Sequence, residues 1–266
     1  MKEPLRILSD LHLGHKLSRI GSVSALRPLI SGAATVAFNG DTWQELAGPF
    51  QERSTGMLDE LKSLCAEEGA EAVFLSGNHD PGWPGDGWLE LAGGRIVVTH
   101  GDALFFGGSP WKREILTARR RLQEIWDRHP AALHDAAARL EVAREIAREL
   151  CSVEYPLGRH LVQRAFDAAM PPQRALWMLA AWFTQGAAGS CFCERYFPNA
   201  EVLVIGHFHH HGCWQHKGRL VINTGSFLVP GRAHWVEWND GWLSRGVIDE
   251  SPDECRLGRR IGVWRF

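Results

Sequence analysis

The chain has no apolar run long enough to cross a bilayer. Its most apolar stretch, ALWMLAAWF (residues 175–183), is about half of the roughly 20 residues a spanning helix needs. The first residues, MKEPLRILSDLHLGH, lack a long apolar core and reach an acidic side chain by Asp10, so no signal peptide is expected there. A paired cysteine framework is missing too: Cys65, Cys151, Cys191, Cys193, Cys213 and Cys255 are scattered. In a chain of this size with no export signal they read as reduced thiols, hence a cytoplasmic location. Cys191-Phe-Cys193 is the one tempting pair, and two isolated thiols make a poor zinc site. There is no charge excess, since 29 Lys and Arg face 31 Asp and Glu for a net −2. Without a global basic field, nucleic acid is not an expected partner. No internal repeat or low-complexity linker is visible.

What is present is a large core and an unusual stock of histidine (13) and tryptophan (12) in 266 residues, 45% of them hydrophobic. That suits a single domain over 1–266 carrying a substantial insertion. Short β-branched runs recur: LRIL (5–8), TVAF (35–38), AVFL (72–75), RIVVT (95–99), VLVI (202–205) and RLVIN (219–223). HWVEW (234–238) and WLSRGVI (242–248) flank Asn-Asp-Gly, which tolerates positive φ and so signals a hairpin. Between the first runs, STGMLDELKSLCAEEG reads as a helix opening on a Ser or Thr cap and closing on glycine. Helices between buried strands predict an α/β layered sheet, and the late hairpins predict a second, more antiparallel one. The middle differs. From 103 to 190 the chain is rich in Ala, Leu, Arg and Glu at helical spacing. WKREILTARRRLQEIWDRH, AALHDAAARLEVAREIAREL, GRHLVQRAFDAAM and PQRALWMLAAWFTQG read as four helices separated at prolines. Strand-like runs resume afterwards, so this is a helical insertion and not an independent domain.

The chemistry lies in the residues at the end of each run. After LRIL comes Ser9-Asp10-Leu11-His12; after TVAF, Asn39-Gly40-Asp41; after AVFL, Ser76-Gly77-Asn78-His79-Asp80; after RIVVT, His100-Gly101-Asp102; after VLVI, Gly206-His207-Phe208-His209. Five strands thus deliver Asp, His or Asn at their C-terminal ends, where open α/β sheets place their sites. Any one of these is weak, because a strand-end Asp is usually a helix cap. All five together are hard to reach by accident. Carboxylate, imidazole and amide oxygen suit Mn, Fe, Zn or Mg better than soft-metal ligation.

The series DLH, GD, GNHD, HGD and GHFH, with NTGS at 223–226, resembles the calcineurin-like metallophosphoesterases. The resemblance implies a two-sheet β-sandwich flanked by helices, with a helical lid insertion, and a pair of divalent metals at one edge. Mn leads the expected ions, with Fe, Zn or Mg as alternatives. Carried over by motif, Asp10, His12 and His209 hold the first metal, Asn78, His100 and His207 the second, and Asp41 bridges them. A carboxylate bridge spaces two cations about 3.5–4 Å apart, the separation that clamps attacking and leaving oxygens in phosphoryl transfer. The resemblance makes His79 a non-ligand that stabilises or protonates the leaving oxygen, with Asp80 orienting it; imidazole has the ordinary pKa for that task. Asp102 is expected to orient a ligand histidine, and Asn39 is a weaker candidate for the same work. Some relatives of this fold that lack ligands serve as protein-binding scaffolds, and no gap in the ligand set is visible here.

SDLHLG with HGD and a helical insertion directly afterwards is most similar to the UDP-2,3-diacylglucosamine pyrophosphatase branch of lipid A synthesis, in which the insertion forms a lid over acyl chains. One departure is that the branch carries arginine where this chain has His79. The reaction class is therefore hydrolysis of a phosphate ester or pyrophosphate, with the lipid A pyrophosphatase as the narrower alternative. The insertion, with 12 Lys or Arg against 9 Asp or Glu and with Trp111, Trp126, Trp177 and Trp182, suits a phosphorylated small-molecule or lipid-like substrate and a peripheral membrane contact. Its tryptophans equally suit a core between helices. Arg113, Arg119, Arg120 and Arg121 could meet phosphate, but charges at helical spacing usually form a solvated face. Four histidines crowd residues 207–211. His207 and His209 alternate and so share a side near the strand end. His210 and His211 are expected to lie outside the metal set.

Overall fold

The computed structural model describes residues 1–109, 112–150, 172–251 and 253–266. Its N-terminal half contributes β1 (Leu5–Leu8), β2 (Thr35–Asn39) and β3 (Glu71–Leu75), all parallel. The C-terminal end contributes β9 (His234–Asn239), β10 (Trp242–Glu250) and β11 (Cys255–Arg265). β9 pairs antiparallel with β1, giving one six-stranded sheet in the order β11-β10-β9-β1-β2-β3. A second sheet holds β4 (Trp88–Leu91), β5 (Ile96–Thr99), β6 (Val202–Ile205), β7 (Gly212–His216) and β8 (Arg219–Asn223) in the order β4-β5-β6-β8-β7. Strand alternation makes the sandwich. Leu5, Ile7, Ala37 and Leu75 of the first sheet meet Val98, Val204 and Ile222 of the second in one buried layer. The opposite face of the first sheet, through Leu8, Val36 and Phe38, packs on α1 (Arg27–Ile30) and α2 (Gly48–Glu67) by way of Leu29, Leu61 and Leu64. The expected two-sheet α/β sandwich flanked by helices is the observed architecture.

Three expectations need correction. The late hairpin forms no sheet of its own. Asp240 and Gly241 do adopt left-handed φ of 48° and 76° between β9 and β10, but the exposed edge of β1 captures β9 and draws the hairpin into the first sheet. The second sheet is instead built from β4, β7 and β8 around the parallel strands β5 and β6. α2 begins at Gly48, before the expected Ser or Thr cap, with a proline in its first turn. Ser54 is therefore interior: its buried hydroxyl donates to the Leu13 carbonyl (2.7 Å) and accepts from the Gln44 N–H (2.8 Å). In the insertion the first expected helix divides into α3 (Arg113–Thr117) and α4 (Arg119–Arg128). The second, α5 (Ala136–Leu150), starts only after a 3-10 turn at Pro130–Leu133. GRHLVQRAFDAAM lies outside the described residues, as does Trp111. The last helix, α6 (Pro172–Tyr196), runs six residues past the expected boundary at 190.

The insertion is joined to the sandwich over a broad area. Leu140 and Ala143 of α5 and Ala181 and Phe192 of α6 pack on Val97, Leu203, Ile205 and Val221, the outer face of the second sheet. α3, α4 and α5 share a smaller core around Ile125 and Ile146. The arginines of α4 form a solvated, ion-paired face: Arg120 with Glu124, Arg121 with Glu124 and Glu149, Arg128 with Glu145 and Glu149. Among the described residues no helix is long and apolar enough to cross a membrane.

Candidate metal centre

The C-terminal ends of β1, β2 and β3 in one sheet and of β5 and β6 in the other meet at one edge of the sandwich. Backbone bonds stitch the loops together there, from Asp10 N–H to the Gly40 carbonyl (3.1 Å), His12 N–H to the Asp41 carbonyl (2.9 Å) and Gly206 N–H to the His100 carbonyl (2.8 Å). The Asp10 carboxylate joins the sheets by accepting the His207 N–H at 3.0–3.1 Å. Close approach needs small residues. A Cβ at Gly206 would meet the Asp10 carboxylate, and one at Gly40, whose φ is 76°, would collide with the His100 ring. Strain concentrates here too. Asp10, His12, Asp41, His207 and His209 all hold left-handed φ, between 48° and 67°, a conformation that costs such residues roughly 1–3 kcal/mol each.

Six of the seven expected ligands form two adjoining groups. Asp10, His12, Asp41 and His209 make one group of potential ligand atoms, and Asp41, His100 and His207 a second, each group lying within 4.8 Å. Asp41 belongs to both. Its Oδ2 is 3.7 Å from His12 Nε2 and its Oδ1 is 3.4 Å from His100 Nε2. His209 Nε2 stands 3.2 Å from both Asp10 Oδ1 and His12 Nε2. Asn78, the seventh, is buried in the same loop as His79, and its Oδ1 has no hydrogen-bond partner.

The donor set fits cations. His100 Nδ1 lies 3.0 Å from the Asn39 carbonyl; a carbonyl can only accept, so Nδ1 carries a proton, and in the neutral ring Nε2 turns its lone pair to the Asp41 carboxylate. Two acceptors in buried opposition call for a positive charge between them, supplied by a proton on His100 or by a bound cation. The ionisation equilibria express the same demand. Burial opposes charge on both partners, yet Asp41 drives His100 well above the ordinary imidazole pKa, and His100 and His79 hold Asp41 well below the usual carboxylate range. Asp10 is likewise low, because His12 and His209 outweigh its burial. Burial lowers His12, and burial together with the charge of His100 lowers His207 to about 3, so both favour the neutral form that ligates.

His79 stands beside the cluster, its Nε2 4.0 Å from Asp41 Oδ2 and its ring in edge contact with His12. Burial holds its pKa well below the ordinary value, against the pull of Asp41. Its expected partner is corrected by the structure. Asp80 does not reach the ring, because its carboxylate accepts the backbone N–H groups of Asp41, Gly77 and Thr42 at 2.8–2.9 Å and the Trp83 indole N–H at 3.2 Å. Asp80 organises the two loops; burial and the charge of Asp41 push its pKa up to about 8. His79 Nδ1 lies 2.9 Å from Gln44 Oε1, and Gln44 Nε2 lies 2.9 Å from His12 Nδ1. A glutamine three residues after Asp41 carries no distinctive sequence signal, so sequence reasoning misses it. Asp102 is buried, but the bond to His100 Nδ1 is made by the Asn39 carbonyl.

The insertion grips both halves of the site. From α5, Arg144 reaches Ser76 Oγ (3.1 Å) and the Gly85 carbonyl (2.6 Å), and Arg148 reaches the Pro81 carbonyl (3.1 Å), bracketing the loop of Asn78 and His79. From α6, the Trp182 indole N–H donates to the Phe208 carbonyl (2.8 Å) between His207 and His209. Gln185 Oε1 accepts from Asn223, which also donates to the Gly206 carbonyl (2.7 Å). His210 stacks on Trp182 (5.1 Å, 18°) and His211 on His234 (4.3 Å, 27°). Neither belongs to the potential ligand groups.

No family model and no curated protein sequence matches the chain. Among solved structures it is similar to a dimetal phosphatase from Danio rerio, at 12% identity over 95% of this chain and 98% of that one, TM-score 0.47. It is also similar to wild-type Vps29 of Entamoeba histolytica complexed with Zn, at 15% identity over 97% of each chain, TM-score 0.45. A third similar structure is a predicted phosphoesterase from Streptococcus pneumoniae, at 15% identity over 100% and 99%, TM-score 0.39. Likeness of this degree does not decide an activity, which has to be argued from the residues of the site.

Proposed function

We propose that this chain is a binuclear, metal-dependent phosphohydrolase acting on a phosphate ester or pyrophosphate. The observation that carries the proposal is the carboxylate of Asp41, shared by two buried groups of potential ligand atoms. Asp10, His12 and His209 would hold one divalent ion, and Asn78, His100 and His207 the other. Two such ions supply Lewis acidity, an activated water and neutralisation of phosphate charge.

The chain's own residues set the protons. Ligation through His12 Nε2 requires the neutral ring with its proton on Nδ1. In the structure Gln44 Nε2 faces His12 and Oε1 faces His79; with a proton on His12 Nδ1 the carboxamide would turn over so that Oε1 accepts from His12. The Gln44 NH₂ then faces His79 Nδ1 and donates to it, so His79 keeps its own proton on Nε2. One amide thereby fixes His12 as a ligand and His79 as a hydrogen-bond donor toward a leaving oxygen.

The narrower reading, a UDP-2,3-diacylglucosamine pyrophosphatase, draws support from the SDLHLG and HGD motifs and the insertion directly after them; His79 in place of arginine weighs against it. The test is hydrolysis of a chromogenic phosphodiester, a phosphomonoester and a nucleotide-sugar pyrophosphate with Mn²⁺, Zn²⁺, Fe²⁺ and Mg²⁺. Turnover on any of these that is lost with chelator and restored by metal is expected. Protein shown to bind two metals but inert on every substrate would overturn the hydrolase reading in favour of a metal-binding scaffold.

A further inference from the structure

Beside the centre, past His209, lies a buried arginine with no counter-ion. Arg245 of β10 is only 7% exposed, its Nε has no hydrogen-bond partner, and none of the described carboxylates pairs with it. The nearest strand neighbours that face it are not acidic, whereas Asp249 and Glu250 share a surface depression with Arg232, and Glu250 accepts the Ala233 N–H. On β9, His234 lies on the same sheet face, since Arg245 is opposite Val236 and Val247 opposite His234. His234 is buried, its Nδ1 has no hydrogen-bond partner, and its ring is stacked on His211. Across the gap, Cys213 of β7 is opposite Ile222, an inter-sheet core residue, which turns its thiol to the same side. Arg232 is exposed at the surface; burial, and then the charges of Arg245 and Arg232, hold the proton affinity of His234 down, against a hydrogen bond to the Arg232 backbone. These residues adjoin the loops of the candidate metal centre: a Cβ at Gly225 would sit 3.0 Å from His211 Cβ and one at Gly231 3.1 Å from the His209 carbonyl.

A guanidinium whose Nε is buried without a partner is costly, and an anion held on its remaining N–H groups would offset that cost. We infer that Arg245, with His234, His211 and Arg232, forms an anion subsite for a phosphate or phosphoryl group, separate from the metal ligands. Arg245 supplies the fixed charge and a planar fork suited to two phosphate oxygens, while the imidazoles offer ring N–H donors. The proposed phosphohydrolase reading matters only to the source of the anion: a second phosphoryl group of the substrate, or free phosphate retained after turnover.

The experiment is thermal unfolding of the metal-stripped full chain with and without inorganic phosphate, with chloride matching ionic strength. Wild-type protein should gain about 3 °C when phosphate stands tenfold above its Kd. Arg245→Met should melt higher than wild type in phosphate-free buffer, because it removes an unpaired buried charge, and should lose the phosphate response. Arg245→Lys should keep part of it. Equal phosphate shifts in wild type and Arg245→Met, or a lower melting temperature of Arg245→Met without phosphate, would overturn the assignment. So would the absence of binding heat when phosphate is titrated into wild type. If the subsite exists, metal-loaded Arg245→Met separates the sources. A raised KM for a pyrophosphate substrate with an unchanged phosphomonoester KM assigns it to substrate, and loss of phosphate product inhibition alone assigns it to free phosphate. None of the unfolding or titration readouts requires that the metal centre be active, so a failed subsite and a failed hydrolase reading give different results.

Discussion

At the scale of residues, the site gives each side chain a separable consequence. Asp41→Ala removes the one carboxylate common to both ligand groups, so metal content measured after dialysis should fall from two ions toward one or none. His79→Ala should retain its metals yet lose activity by roughly 10²–10⁴-fold; wild-type turnover would refute its assigned role. Gln44→Ala leaves the backbone bonds of its loop intact while freeing both imidazoles. Metal affinity should drop by about 10–100-fold, and the Nδ1 resonance of His79 should change in a nitrogen-detected imidazole spectrum. Six of the seven candidate ligands named by the family resemblance fall in the two groups of potential ligand atoms, because each comes just after a strand and strand ends bring distant residues to one edge. Gln44 was not readable, since its importance comes only from lying between two rings that the fold places about 5 Å apart. Asp80 was misread for the matching reason: its neighbour in sequence is His79, while its carboxylate is consumed by backbone N–H groups of two loops.

At the scale of elements, the helical insertion was legible as helices, and its relation to the site was not. Its Ala- and Leu-rich spacing signals a buried stripe but cannot say which surface is buried. In the structure that stripe on α5 and α6 covers the second sheet, and polar side chains from both helices reach loops of the candidate metal centre. Trp182 packs against the core on the second sheet, and its indole N–H also holds the Phe208 carbonyl. Trp182→Phe should therefore weaken metal binding and slow a small chromogenic ester as much as a bulky substrate, measured by metal titration and by kcat on both. A loss confined to the bulky substrate would return the tryptophan to substrate recognition.

At the scale of the whole molecule, buried histidines tie stability to pH. Burial, with Arg245 nearby, lowers His234 to about 3, against the ordinary 6.5. The unfolded chain takes up that proton more readily, so the contribution is complete above about pH 6.5 and is lost as pH falls toward 3. His234→Gln should make the denaturant midpoint fall less than in wild type between pH 7 and pH 5; parallel curves would show that His234 is not buried neutral. The sequence by itself determined eight of the eleven strands, all but β4, β7 and β11, and the helical insertion, because hydrophobic periodicity is a local property; the seven candidate ligands came from strand-end residues read with the family resemblance. Only the tertiary structure decided that β9 completes the first sheet, that Gln44 and not Asp80 serves His79, and that Arg245 is buried without a partner. Each of these depends on which edge, ring or carboxylate lies across a gap, and contacts between residues far apart in the chain leave no periodic trace in it.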